Sequence, residues 1–482
     1  MKKQVMFCWL VAICATTNAQ NETDALRYSY TQRAASARSL SMGSSFGALG
    51  ADISSIFTNP AGMGTYKRAG FECSFGLLSH VTDAQYEGSS SSNSSTPFYV
   101  NTAGMIGNKK PKHKDWTDIN FGIGYTKTNN FNERISITGA PFGSSILQVF
   151  ATQASGTHPD LVTDEFPFGA GLAYQVYAID PQDTAGVSYV PNAGQGIVQQ
   201  HKNIRRTGAQ GETSFGFGAN YRDVLQIGAS LNYISTSFYD QSTYTENYES
   251  DEALKNIAYN ETLRSNGNGV SLKLGVIVKP TQWLRAGVAY HTPAAIGFRE
   301  NYNVTMTSAE QNGTTHDWNS PMLVTTYKLR TPSRLLANAA FVLGKAGVIT
   351  ADYEYAAYNN MDMRGSGSNN YNYETENDVI STIYRGVHRV GAGLEMRVAK
   401  EFALRGGVLY QQSPFVNGVA ANSSWLTYSG GFGYRTDYFF CDLAASYASD
   451  DRTYYLYQTI DNQPANITAT KLNFLLSLGF RY

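Results

Sequence analysis

Charge is what this chain has least of. Only 16% of its 482 residues are Asp, Glu, Lys or Arg, against roughly 25% in an average soluble domain. The 37 basic residues nearly cancel the 38 acidic ones. A nucleic-acid binder needs a basic field or stripe, so no nucleic-acid partner is expected. Cysteine is almost absent, with four in all, and Cys8 and Cys14 fall in the first twenty residues. The remaining pair, Cys73 and Cys441, is too small for a disulfide scaffold. Both fall at outward positions of the strands predicted below, where unpaired apolar packing is expected. After Gln20 no run of 18 apolar residues occurs, so no helix there is suited to cross a bilayer. There is no His-Glu-x-x-His, no Walker loop and no paired-cysteine metal motif. The seven histidines, at 80, 113, 158, 201, 291, 316 and 388, are scattered. His291 and His388 lie in predicted strands and read as structural. Heme would need an axial His, Tyr or Met in a deep pocket; these histidines argue against it, and Tyr remains open. Neither an enzyme nor a cofactor is expected.

What the chain does have is 33 Tyr, 24 Phe and 45 Gly, with a mean hydropathy that is still negative (−0.30). Aromatics and glycine are the stock of barrel walls and girdles. Lys2 and Lys3, the apolar run Val5–Ala15 and small residues at Thr17 and Ala19 read as a secretory signal over 1–19, with the mature chain starting near Gln20. The protein is therefore expected to be exported.

Period-two alternation supplies the wall. In 119–126, Ile, Phe, Ile and Tyr oppose Asn, Gly, Gly and Thr. The same pattern recurs in 213–221 and 284–291, and the chain closes with Leu472, Phe474, Leu476, Leu478, Phe480 and Tyr482 on one face. The smaller face is mostly Gly, Ser, Asn and isolated charges, which suits a wet lumen, and the aromatic face suits lipid. Strands are predicted near 69–79, 118–127, 131–140, 213–221, 225–237, 268–279, 283–292, 334–343, 346–356, 387–398, 402–411, 427–435, 437–449 and 470–482. Short connections at 128–130, 222–224, 280–282, 344–345, 399–401 and 436 then alternate with long ones. That segregation predicts an all-β fold, a transmembrane antiparallel β-barrel of about fourteen strands in the outer membrane. Alternating stretches at 166–177, 298–307 and 322–329 are assigned to external extensions; were two of them spanning, the count would be sixteen.

The long loop 141–212 carries Phe150, Phe166 and Phe168 among other apolar residues, either an exposed capture surface or an internally packed lid. Charges expected to point inward are Glu72, Lys273, Arg285, Asp352, Glu354, Arg389, Glu395, Arg397, Arg405, Asp442 and Arg481. A carboxylate ligand would need one left partly unpaired, with Arg285, Arg397 and Arg405 the candidates. Gly139, Pro141 and Gly143 end the predicted third strand, where Pro and Gly weaken pairing.

Residues 34–62 are small and Gly/Ser-rich, with a possible helix over 34–42, and could fold into a lumen or form a periplasmic leader. Arg38, Met42-Gly43, Phe46, Ala51-Asp52, Ile56-Phe57 and Asn59-Pro60-Ala61-Gly62 resemble the N-terminal hatch of the FadL/TodX family of outer-membrane transporters of hydrophobic compounds. Arg285–Thr292 with Phe298, and Tyr327–Ser333, resemble two further strand motifs of that family. Asn129-Asn130-Phe131 and Ser144-Ser145-Ile146 are similar to Bacteroidetes members. The resemblance implies a hatch over 20–68 plugging a barrel over 69–482, and a kinked third strand that lets ligand leave sideways into the membrane. It further implies passive uptake of fatty acids or aromatic hydrocarbons by a monomer whose partners are a hydrophobic ligand and outer-membrane lipid. The alternative is a barrel of the same family acting as a shuttle in type IX secretion; a general porin is disfavoured by the hatch.

Overall fold

The computed structural model describes residues 22–32, 35–112, 114–183, 188–194, 196–249, 253–367, 371–419, 424–457 and 463–482. The predicted signal segment 1–19 lies outside them. The chain begins with helices α1 (Glu22–Ser29), α2 (Ala37–Ser41) and α3 (Ser55–Thr58), then a 3-10 turn at Pro60–Thr65. Next come β1 (Gly70–Tyr86), β2 (Ser89–Ser95), β3 (Phe98–Lys109), β4 (Trp116–Asn130) and β5 (Glu133–Gly139). Helices α4 (Ile146–Ala154), α5 (Pro159–Glu165) and α6 (Ala170–Gln175) precede the short pair β6 (Ile179–Pro181) and β7 (Tyr189–Pro191). The long strands β8 (Val198–Tyr221), β9 (Leu225–Tyr248) and β10 (Leu254–Val278) follow. Then come β11 (Leu284–His291), β12 (Ala295–Glu310), β13 (Thr315–Asn319), β14 (Leu323–Arg330), β15 (Arg334–Val342), β16 (Gly347–Ala357) and β17 (Asp362–Gly365). After α7 (Glu374–Ile383) the chain ends with β18 (Gly386–Arg397), β19 (Phe402–Gln411), β20 (Trp425–Arg435), β21 (Phe439–Tyr454) and β22 (Ala465–Arg481).

Antiparallel pairing runs β1–β3–β4–β8–β9–β10–β11–β15–β16–β18–β19–β20–β21–β22 and returns to β1, a closed ring of fourteen. Closure satisfies the backbone that faces lipid. Six short turns, at 110–115, 222–224, 279–283, 343–346, 398–401 and 436–438, share one end, the periplasmic one by the usual asymmetry of such barrels. Outward positions are apolar and exposed, as at Phe121, Leu274, Val288, Leu335 and Phe474, while Asn120, Ser214, Asn232, Asn338 and Ser477 are buried inside. Cys73 and Cys441 are free thiols, each paired in register with Leu478 on the strand between them.

The count of fourteen stands, but its composition differs from the sequence pattern. Residues 131–140 do not span. β5 pairs only with the upper part of β8, and its apolar residues Ile135 and Ile137 are buried under the extracellular helices. Alternation had reported a buried face correctly but not what buried it. The second wall strand is instead β3, whose pattern is broken at Asn101 and Thr102, which both turn inward beside a bulge opposite Ser74/Phe75. Residues 128–130 accordingly belong to β4 and are not a turn. The stretches 298–307 and 322–329 are external extensions as predicted; 166–177 is not strand but contains α6.

Leu274→Arg places a charge in the apolar belt and should cost about 2–4 kcal/mol if the site is near midplane. Equilibrium unfolding from lipid vesicles measures it.

Candidate ligand cavity and wall seam

Residues 22–32 and 35–66 lie inside the ring, most of them buried. Small residues permit this: a Cβ on Gly62 would sit 2.8 Å from Ser55 Oγ, and one on Gly64 would sit 2.6 Å from the Ala219 carbonyl oxygen. Asn59 caps the turn that follows it, accepting from Ala61 N at 3.2 Å through Oδ1, with Pro60 in the first helical position, where its missing N–H costs nothing. Its Nδ2 reaches Asn338 on β15 at 3.4 Å.

Wall charges hold this segment. Arg38 donates to both oxygens of Glu395 at 2.7 and 2.8 Å; Arg405 donates to Glu395 at 2.7 Å and to Asp442 at 2.6 Å. Asp352 accepts from the backbone N–H groups of Phe46 and Gly47, each at 2.9 Å. Arg285 donates to the Leu49 carbonyl at 2.7 Å, and Lys273, paired with Glu212, to the Phe57 carbonyl at 3.0 Å. His291 Nε2 lies 2.8 Å from the Thr58 carbonyl oxygen. These bonds are charge-assisted and largely buried, the setting in which such bonds are strongest.

Between this segment and the wall is a cavity of about 80 Å³ lined by Tyr28, Gln32, Phe57, Thr126, Thr128, Lys273, His291, Ile296, Pro332 and Arg334, among others. Tyr28 joins that lining to an aromatic cluster lying behind it. Tyr28 stacks on Phe298 at 4.4 Å, Phe298 stacks on Tyr327 at 5.2 Å, and Phe131 and Phe238 meet Tyr28 edge-on. Burial, with Asp24 and Glu300 nearby, raises the Tyr28 hydroxyl well above its ordinary pKa, so it stays protonated and donates to Glu300 at 3.4 Å.

Two wall irregularities border the cavity. β11 and β12 are successive halves of one strand interrupted at 292–294, and β15 and β14 are interrupted at 331–333; Pro293 and Pro332 lie in the breaks. Against β10 the register steps by one residue, from Lys273↔His291 to Val270↔Ala295, while β11/β15 and β12/β14 keep a common register. The two strands therefore step together. Thr292 and Thr331 stitch the break, their hydroxyls accepting from Leu272 N at 3.0 Å and Ala294 N at 2.9 Å.

The other irregularity is on β4, the third wall strand. Its ladder with β3 stops at Thr102↔Thr126, and its ladder with β8 shifts between Lys127 and Asn129. Above this seam β1 and β5 meet through side chains: Thr82 donates to the Arg134 carbonyl at 2.5 Å, and His80 Nδ1 lies 3.2 Å from that of Asn132. From inside, Gln32 N donates to the Thr128 carbonyl at 2.7 Å, and the Ala35 carbonyl accepts from Asn101 and Thr102.

A family model described as outer membrane protein transport protein (OMPP1/FadL/TodX) matches residues 28–453. The chain belongs to that family. Among solved structures it is similar to the Pseudomonas putida toluene transporter TodX (14% identity, TM-score 0.54, 94% of this chain and 99% of that one). It is likewise similar to the Ralstonia pickettii toluene transporter TbuX (16%, 0.52, 93% and 98%) and a Pseudomonas aeruginosa FadL homologue (13%, 0.53, 94% and 98%). At such identities the likeness establishes the fold. No curated protein sequence matches the chain. The family and the closed barrel place the protein in the outer membrane.

The structure brings only part of the sequence-predicted site together: Arg38, Arg397 and Arg405 line one cavity of about 570 Å³ at the periplasmic end, and the other predicted residues lie apart from it. Gly139 ends β5, paired with Gln200 of β8, and Pro141 and Gly143 follow it, all outside the ring of wall strands; Pro141 O accepts from Val198 N at 3.0 Å and Gly143 N donates to Gly196 O at 2.8 Å, tying the loop to the start of β8. The third-strand irregularity exists, but at Lys127–Asn129. Arg405 is committed to two carboxylates, Arg285 to the hatch, and Arg397 is exposed at the periplasmic rim. Phe150 is buried and Phe166 and Phe168 partly so; the loop is a lid. Glu246 fastens it, accepting from Ser145 Oγ, Ile146 N (2.8 Å), Tyr244 OH (2.6 Å) and Tyr248 OH (2.6 Å). Gly43-x-Ser45-x-Gly47 has the spacing of a hydrolase nucleophile turn, but Ser45 Oγ is buried with no hydrogen-bond partner among the described residues, so no base activates it. Sequence reasoning missed Tyr28, Gln32 and Thr128, which carry no motif.

Glu395→Ala leaves Arg38 and Arg405 with fewer buried partners, a loss of about 3–5 kcal/mol; loosening of the plug is expected to raise single-channel conductance in planar bilayers. Glu246→Ala should open 146–178 to limited proteolysis without altering barrel stability.

Proposed function

We propose that this protein takes up small hydrophobic compounds, aromatic hydrocarbons first among them, and releases them sideways through the β3/β4 seam into the membrane. The observation that carries the reading is that one cavity is lined by Tyr28, Phe57, Ile234 and Ile296 on one side and by Thr126 and Thr128 of the seam on the other. A lipid-soluble ligand gains nothing from a water-filled pore, whereas a break in pairing beside the pocket leads it directly to hydrocarbon. The similar solved structures include toluene transporters and a monoaromatic hydrocarbon channel, which supports that substrate class. The cations that line the cavity, Lys273 and Arg334, are paired with Glu212 and Glu354, and Arg285, Arg397 and Arg405 are engaged or distant from it, which favours uncharged ligands over fatty acids.

The cavity is about half the ~150 Å³ of an engineered protein cavity that accepts benzene. A ligand ring therefore takes the place of Tyr28, whose own ring already stacks on Phe298. The hatch residues Arg38, Asn59, Pro60, Ala61 and Gly62 keep the lower lumen shut during that exchange, and the protein works as a monomer without a cofactor.

In proteoliposomes, deletion of Thr128 restores register on β4 and should cut toluene uptake about tenfold, a change of ~1.4 kcal/mol in barrier. Uptake equal to wild type would reject the seam as the exit. Tyr28→Ala should tighten toluene binding, read by displacement of a fluorescent aromatic probe.

A further inference from the structure

The outer face of the barrel carries a basic patch that the transport reading does not use. On β10 the outward side chains Leu274, Leu272 and Val270 form the top of the apolar belt, and beyond them the same face of four adjacent strands becomes cationic. Register puts Arg330 on β14 level with Val270, through Ala295. Lys328 pairs with Gly297, and Arg364 on β17 pairs with Lys328. Arg299 lies opposite Thr326 on β14 and Asn266 on β10, and Arg264 opposite Asn301. All five are exposed. Steps of about 6.6 Å along a strand and diagonals of about 7–8 Å between strands set the cations one phosphate group apart.

Among the described residues only Arg364 of these five makes an ion pair, with Asp362 at 2.6 Å; Asp362 also lies opposite Arg330 in register, so one carboxylate stands among five cations, and the Arg264 guanidinium rests over the Tyr239 ring at 5.0 Å. Like charges so close repel unless an outside anion lies among them. Across the ring the corresponding outward positions are acidic, with Asp83 on β1 and Asp451 on β21 both opposite Thr468. The basic face continues past β9 to Arg205 on β8, opposite Arg134 on β5, and lies at the extracellular end, directed at lipid.

We propose that this patch binds the phosphate groups of the glycolipid that forms the outer leaflet of the outer membrane. Guanidinium groups match phosphate oxygens bidentately. The patch begins where the acyl-facing belt ends, which is where a phosphorylated sugar headgroup sits when its chains lie along Leu274, Leu272 and Val270. A soluble anion would have no reason to meet a surface bounded by that belt.

The full-length barrel, stripped of lipid in detergent, is titrated with diphosphorylated lipid A, with phosphatase-treated lipid A and with phosphatidylglycerol, and bound lipid is counted by native mass spectrometry. Wild type should hold the diphosphorylated form about tenfold more tightly than either other lipid, as expected when charge-assisted bonds are lost. The variant R264Q/R299Q/K328Q/R330Q should lose that preference while keeping the heat-modifiable mobility of a folded barrel, and R264K/R299K/R330K should retain it. If the glutamine variant does not fold, wild type is titrated from about 0.05 to about 0.5 M salt, where screening should erode the preference. A wild type blind to phosphate, equal binding of phosphatidylglycerol, an undiminished preference in the folded glutamine variant or one indifferent to salt each overturns the proposal.

Discussion

A backbone amide that faces hydrocarbon has no water to bond, and everything in this fold follows from that constraint. Fourteen strands satisfy it by closing on themselves, β22 to β1. The ring is broken only where something else supplies partners. At the β3/β4 seam these come from the hatch backbone and from side chains across the β1/β5 gap; at the twin breaks in 292–294 and 331–333 they come from threonine hydroxyls. Both departures border one cavity, so the wall is least regular beside the pocket that the N-terminal segment leaves under Tyr28.

Closure creates a second requirement. A ring this size encloses Glu72, Lys273, Asp352, Glu354, Glu395, Arg405 and Asp442, charges costly to bury alone. The N-terminal segment resolves this by offering its own backbone and Arg38 as partners, which is also why it needs small residues at Gly62 and Gly64. Plug and wall are thus one electrostatic unit. The lid uses the same device once more, with Glu246 gathering four donors at its base.

Much of this was legible in the amino-acid order. The outward aromatics, five of the six short turns, most of the inward charges and the small-residue segment around Asn59-Pro60 that lies inside the ring all announce themselves through period-two alternation or close-packing composition; Arg397, expected inward, is exposed. β3 did not, because Asn101 and Thr102 both turn inward and spoil its alternation. β5 imitated a wall strand because Ile135 and Ile137 alternate for a lid instead of for lipid. The cavity was beyond reach for a different reason. Tyr28, Gln32 and Thr128 are brought together across about a hundred residues by backbone hydrogen bonds, which leave no trace in side-chain type.

The shared step of the strands through His291–Ala295 and Arg330–Arg334 changes which residues look inward: His291 and Arg334 below it, Ile296 and Leu329 above. The lumen is thereby split into a polar floor that holds the N-terminal segment and an apolar ceiling backed by aromatic rings. The space between them is made by the path of the main chain. On the proposed reading, exchanging the ceiling's rings for others would retune what is admitted while leaving the floor's contacts with the segment in place.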